Sequence, residues 1–120
     1  MLNIYEIGSS ELTYDLIEKI IKDGTKLVLS DDARKKITHC REYLDHKTDN
    51  DTVPIYGVTT GFGSLCDKHI SRDELSTLQE NLVKSHSCSV GTPVKKDIVK
   101  LMLLLKAHAL SMGFSGVQVC

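Results

Sequence analysis

The sequence predicts a mainly α protein with short β-strands, and three observations lead there. Apolar residues recur at three- and four-residue intervals through most of the chain. Those stretches open on helix-capping residues, and two of them close on glycine, at Gly24 and Gly113. The apolar pieces outside them are only a few residues long, which suits short strands.

Asn3 to Ile7 is the first short strand. Leu12, Leu16, Ile17, Ile20 and Ile21 then follow helical spacing, with Thr13 as cap and Gly24 as stop. Lys26 to Leu29 is a second short apolar piece. Ser30, Asp31 and Asp32 open the next helix, setting acids against its positive end. Ala33, Ile37, Cys40 and Leu44 mark its buried face. The polar run "KTDNDT", Lys47 to Thr52, reads as a loop.

"SRDE" at Ser71 to Glu74 has the form of a capping box, flanked by Ile70 and Leu75 as a hydrophobic staple. Leu75, Leu78, Leu82 and Val83 carry that helix on. Gly91, Thr92 and Pro93 announce the last helix, with Pro93 at its first position, a span of 94–112 and Gly113 as its stop. Leu101 to Leu105 is apolar on every side, so this helix calls for cover all round.

A chain of 120 residues makes about one small domain. Lys plus Arg number 15 and Asp plus Glu 16, so there is no charge footprint for nucleic acid or an anionic membrane. Trp is absent, which removes one platform for stacking bases. The N-terminus lacks the basic and apolar regions of a secretory signal, and the run at Leu101 to Leu105 is far short of a membrane span. These features predict a cytoplasmic protein with neither nucleic acid nor membrane as partner. Cys40, Cys66, Cys88 and Cys120 form no C-x-x-C pair and read as reduced thiols. His39 and His46 lack an H-E-x-x-H arrangement, so no metal site is expected.

The stretch "IYGVTTGFGSL", Ile55 to Leu65, concentrates glycine around one tyrosine. Glycine carries a large entropic cost on folding, so such clusters mark backbone with a special task. As a nucleotide loop the stretch fails at its third glycine, whose place is taken by Cys66. Two readings remain open on composition: a tight structural loop, or an active-site loop presenting Tyr56. An ordinary phenol keeps its proton to about pH 10. A tyrosine base therefore needs surroundings that favour the phenolate.

"YGVTTGFG" at 56–63 resembles the tyrosine-loop motif of the aromatic amino acid ammonia-lyases and aminomutases, which include histidine, phenylalanine and tyrosine ammonia-lyases. "LQENLVKSHSCSVG" at 78–91 and "LMLLLKAHALSMGFSGV" at 101–117 resemble the next family segments, in order and in register. The resemblance implies that residues 1–120 are the N-terminal portion of such a lyase, a helical segment of the aspartase/fumarase-like fold. The 94–112 helix is then expected to be long and buried and to begin the central helical body.

The resemblance also implies chemistry. Family members eliminate ammonia from an α-amino acid with an electrophilic methylidene-imidazolone (MIO) made from an internal Ala-Ser-Gly. Tyr56 matches their catalytic acid/base, and His86 and Gly63 match substrate-binding positions. The Ser85-His86 pair resembles the histidine-specific branch, which implies L-histidine as substrate, urocanate and ammonia as products, and a homotetramer. Taken alone, His86 also fits a helix-end histidine bonded to its own backbone.

Three departures qualify the transfer. Ala-Ser-Gly is absent from the chain and is expected beyond Cys120; Phe114-Ser115-Gly116 matches another segment. Ser89 stands where members usually carry glycine, and Gln118 where many carry arginine. A non-catalytic remnant or assembly module, and a tyrosine or phenylalanine lyase or aminomutase, stay open as alternatives.

Overall fold

Thr13 and Gly24 bound the first helix as their chemistry requires. Thr13 is extended, and its Oγ1 accepts the Leu16 N–H at 3.4 Å; Gly24 closes the helix by donating its N–H to the Ile20 carbonyl. The computed structural model describes residues 3–50 and 53–120. Its elements in order are β1 (Ile4–Ile7), α1 (Tyr14–Asp23), β2 (Lys26–Leu29), α2 (Asp31–Asn50), α3 (Arg72–His86) and α4 (Lys96–Ser111). They divide into two compact units, Met1–His46 with Pro93–Cys120, and Lys47–Thr92.

In the first unit β1 and β2 pair in parallel, from Ile4 opposite Lys26 to Ile7 opposite Leu29. Parallel neighbours need a crossover, and α1 supplies it. Ser30 follows β2 directly: its N–H donates to the Ile7 carbonyl, and its Oγ accepts the Ala33 N–H at 3.2 Å to cap α2. The core is Ile7, Ile20, Ala33, Ile37 and Leu104. Behind α4 the chain turns back onto α2 at Gly113. A Cβ there would lie 2.8 Å from the Lys36 carbonyl carbon, and φ is +76°, so both space and backbone demand glycine.

Two sequence expectations change. Lys47 to Thr52 is not all loop, because α2 runs on to Asn50; Asp51 and Thr52 lie outside the described residues. Pairs one turn apart favour the helix: Lys36 with Asp32 at 2.6 Å, and the Arg41 guanidinium, forked onto Asp45 at 2.6 and 3.0 Å. The helix expected over 94–112 spans Lys96–Ser111, and Pro93 stays outside it. Lys95 is the extended cap residue, with ψ of 139°, so helical geometry starts after it.

Cover on α4 is one-sided in this chain. Leu104 and Ser111 are buried, whereas Ile98, Val99, Met102, Leu103 and Leu105 are exposed. Beside Leu103 and Leu104 an apolar groove of about 670 Å³ opens against Ile7, Ile20, Leu27 and Ala107. No helix among the described residues is long and apolar enough to cross a membrane.

Candidate active-site loop and helix end

The second unit holds the glycine-rich loop, and two buried threonines pin it. The Ile55 N–H donates to Thr59 Oγ1 at 2.8 Å, and the Gly57 N–H donates to Thr60 Oγ1 at 3.2 Å. Thr60 Oγ1 donates in turn to the Gly61 carbonyl at 3.0 Å. The Thr59 carbonyl accepts the Ile70 N–H at 2.8 Å, which ties the loop to the residues just before α3. Thr60 is 1% exposed, so this hydroxyl spans the loop out of contact with solvent. Reading the motif for its glycines and tyrosine passed over these two hydroxyls, although "TT" stands at its centre.

Above this base Tyr56 projects outward, 64% exposed. Its ring meets Phe62 edge-on, with centroids 6.0 Å apart and planes at 76°. The glycines have separate tasks. A Cβ on Gly57 would come within 3.0 Å of the Phe62 ring, and one on Gly61 within 2.8 Å of the Leu65 carbonyl oxygen. Gly63 has φ of +57° and open space where a Cβ would point, so its backbone is approachable from outside. A short 3-10 turn, Gly63–Leu65, follows.

His86 is the last residue of α3. Its Nδ1 lies 2.9 Å from the Leu82 carbonyl oxygen and 3.0 Å from Ser85 Oγ, which itself donates to Leu82 at 2.9 Å. Ser87 Oγ donates to the Val83 carbonyl. The run "SHS" thus bonds back onto the last turn of its own helix, at the Leu82 and Val83 carbonyls. The helix-end reading of His86 accounts for Nδ1 and leaves Nε2 without a hydrogen bond among the described residues. At the other end of α3, Ser71 is the cap residue, but its hydroxyl donates to the Glu74 carboxylate at 2.7 Å and does not take a backbone N–H. The expected capping box is therefore a side-chain pair.

Tyr56 and Gly63 share one loop. No hydrogen bond or ring contact among the described residues joins either of them to His86. The loop is anchored near the start of α3 and His86 stands at its end, about 20 Å of helix away. No group of His, Cys, Asp or Glu among the described residues is arranged to hold a metal ion.

A model of the aromatic amino acid lyase family matches residues 12–120. The chain belongs to that family. It is similar to the histidine ammonia-lyase of Caldanaerobacter subterraneus subsp. tengcongensis, 42% identical over 94% of this chain and 22% of the relative. It is 39% identical to that of Clostridium tetani over 99% of this chain and 23% of the relative. Among solved structures, Trypanosoma cruzi histidine ammonia-lyase matches with a TM-score of 0.79 at 31% identity, covering 98% of this chain and 22% of that one. Tyrosine aminomutase from Streptomyces globisporus matches with a TM-score of 0.85 at 25% identity, covering 98% and 22%. The chain spans about a fifth of the length of the curated relatives it matches, 22% for the Caldanaerobacter enzyme. The helical fold with short strands is thus that of the family's lyases and aminomutases.

Proposed function

We propose that this chain supplies the N-terminal part of a carbon–nitrogen lyase that releases ammonia from L-histidine to form urocanate. The observation that carries the reading is its 42% identity, over 94% of its length, to a histidine ammonia-lyase. The Ser85-His86 pair supports histidine over tyrosine or phenylalanine.

In this reading Tyr56 is the catalytic acid/base. A buried, threonine-pinned base beneath an exposed phenol suits a group that must meet substrate at a set position. His86 binds the substrate ring, and the open face of Gly63 receives part of the substrate against bare backbone. When bound, MIO supplies the electrophile that activates the amino group for departure. Ala-Ser-Gly occurs nowhere in these 120 residues, so this chain contributes groups around the electrophile rather than the electrophile itself. The working form in this proposal is a cytoplasmic homotetramer, in which the apolar side of α4 is covered by the helical body.

The test is a chimera in which this chain replaces the matching segment of the Caldanaerobacter enzyme. The expected result is urocanate from L-histidine, with far lower turnover of tyrosine and phenylalanine. A folded chimera that prefers tyrosine or phenylalanine would overturn the substrate assignment. A folded chimera with no lyase activity would favour the non-catalytic alternative.

A further inference from the structure

His86 is held in an arrangement that admits only one sensible placement of its proton. Leu82 presents a carbonyl oxygen, which accepts and never donates, 2.9 Å from Nδ1. With the proton on Nε2, bare Nδ1 would face that oxygen lone pair to lone pair at hydrogen-bond distance. With the proton on Nδ1, the same contact is a hydrogen bond. Nδ1–H donates to the Leu82 carbonyl and is shared with Ser85 Oγ at 3.0 Å. The Ser85 hydroxyl donates its own proton to the same carbonyl, at 2.9 Å.

We propose that the Leu82 carbonyl locks His86 as the Nδ1–H tautomer, leaving Nε2 as an outward-facing hydrogen-bond acceptor. Unconstrained histidine in water favours the opposite tautomer, so the helix end selects a minor form. Leu82 is then a positioning residue: its carbonyl acts on a ligand only through the ring of His86. A bare Nε2 recognises a ligand ring that carries a donor, such as an imidazole N–H, and gains nothing from a plain phenyl ring. That last step rests on the lyase reading; the tautomer itself does not.

The tautomer is read directly in the 120-residue chain. A long-range proton–nitrogen correlation spectrum of isotope-labelled protein, taken above the ordinary imidazole titration range, separates protonated from bare ring nitrogens. His86→Gln identifies the His86 signals by their loss. The expected folded pattern is a protonated Nδ1 and a bare Nε2, reverting in urea to a protonated Nε2. Ser85→Ala is expected to keep the folded pattern, because the Leu82 carbonyl remains. A protonated Nε2 in the folded chain, or the same pattern with and without urea, overturns the proposal. Neither outcome bears on urocanate formation by the chimera, so the two readings fail separately.

Discussion

At the scale of single residues, the loop divides labour between what is buried and what is shown. Thr60 holds the Gly57 N–H and the Gly61 carbonyl from inside, and Tyr56 stands clear in solvent. Thr60→Val keeps the shape and strands both backbone groups. It is expected to cost about 1–3 kcal/mol in whatever cooperative transition includes the loop, read by chemical denaturation. An unchanged transition would show that the hydroxyl is dispensable. Tyr56→Phe makes the opposite kind of change. The Tyr56 hydroxyl forms no hydrogen bond among the described residues, so stability is expected to hold. In the chimera, kcat for histidine is expected to fall by at least ~100-fold, the scale of a lost general acid/base. A loss of only a few-fold would remove Tyr56 from the catalytic role.

At the scale of elements, the first unit depends on close approach and on surface pairs. Gly113→Ala forces a Cβ against the Lys36 backbone in a left-handed conformation, and neither side of the contact is a flexible tip. The expected loss is about 1–3 kcal/mol, visible as a lower thermal midpoint. The pairs act through pH. Hydrogen bonding to Lys36 holds the Asp32 carboxyl below its usual range, and Lys22 does the same for Glu18. Lowered carboxyls contribute stability above their unfolded pKa of about 4 and lose it as pH falls through the folded value. Thermal midpoints are therefore expected to drop on acidification below about pH 4, and to drop less in Asp32→Asn with Glu18→Gln. Equal drops in both proteins would show that these exposed pairs contribute nothing measurable.

At the scale of the whole molecule, α4 is the element out of balance. Exposed Met102, Leu103 and Leu105 stand beside buried Leu104, and an apolar surface of this kind seldom stays in water. The isolated chain is expected to self-associate through this helix at micromolar concentration, as read by light scattering. It is also expected to yield no urocanate, since it lacks Ala-Ser-Gly. A clean monomer would show that the groove beside α4 tolerates solvent. Urocanate from the isolated chain would overturn the claim that the electrophile lies elsewhere.

Much of this was legible in order along the chain, because it rests on local chemistry. Thr13, Gly24 and Ser30 act within a few residues of themselves, so their roles as caps and stops follow from their identity. The family motifs are contiguous for the same reason, and the proposed roles of Tyr56 and His86 are read from them alone. Other features depend on residues distant in the chain or on competing local terms. The helix α2 runs on into the polar stretch as far as Asn50, which no single residue there announces. The parallel pairing of β1 with β2 and the seat of Gly113 on Lys36 join segments that carry no mark of each other. The proton on His86 belongs to this second kind: a histidine at a helix end is plain in the sequence, but only the approach of the Leu82 carbonyl to Nδ1 decides which nitrogen is left to accept.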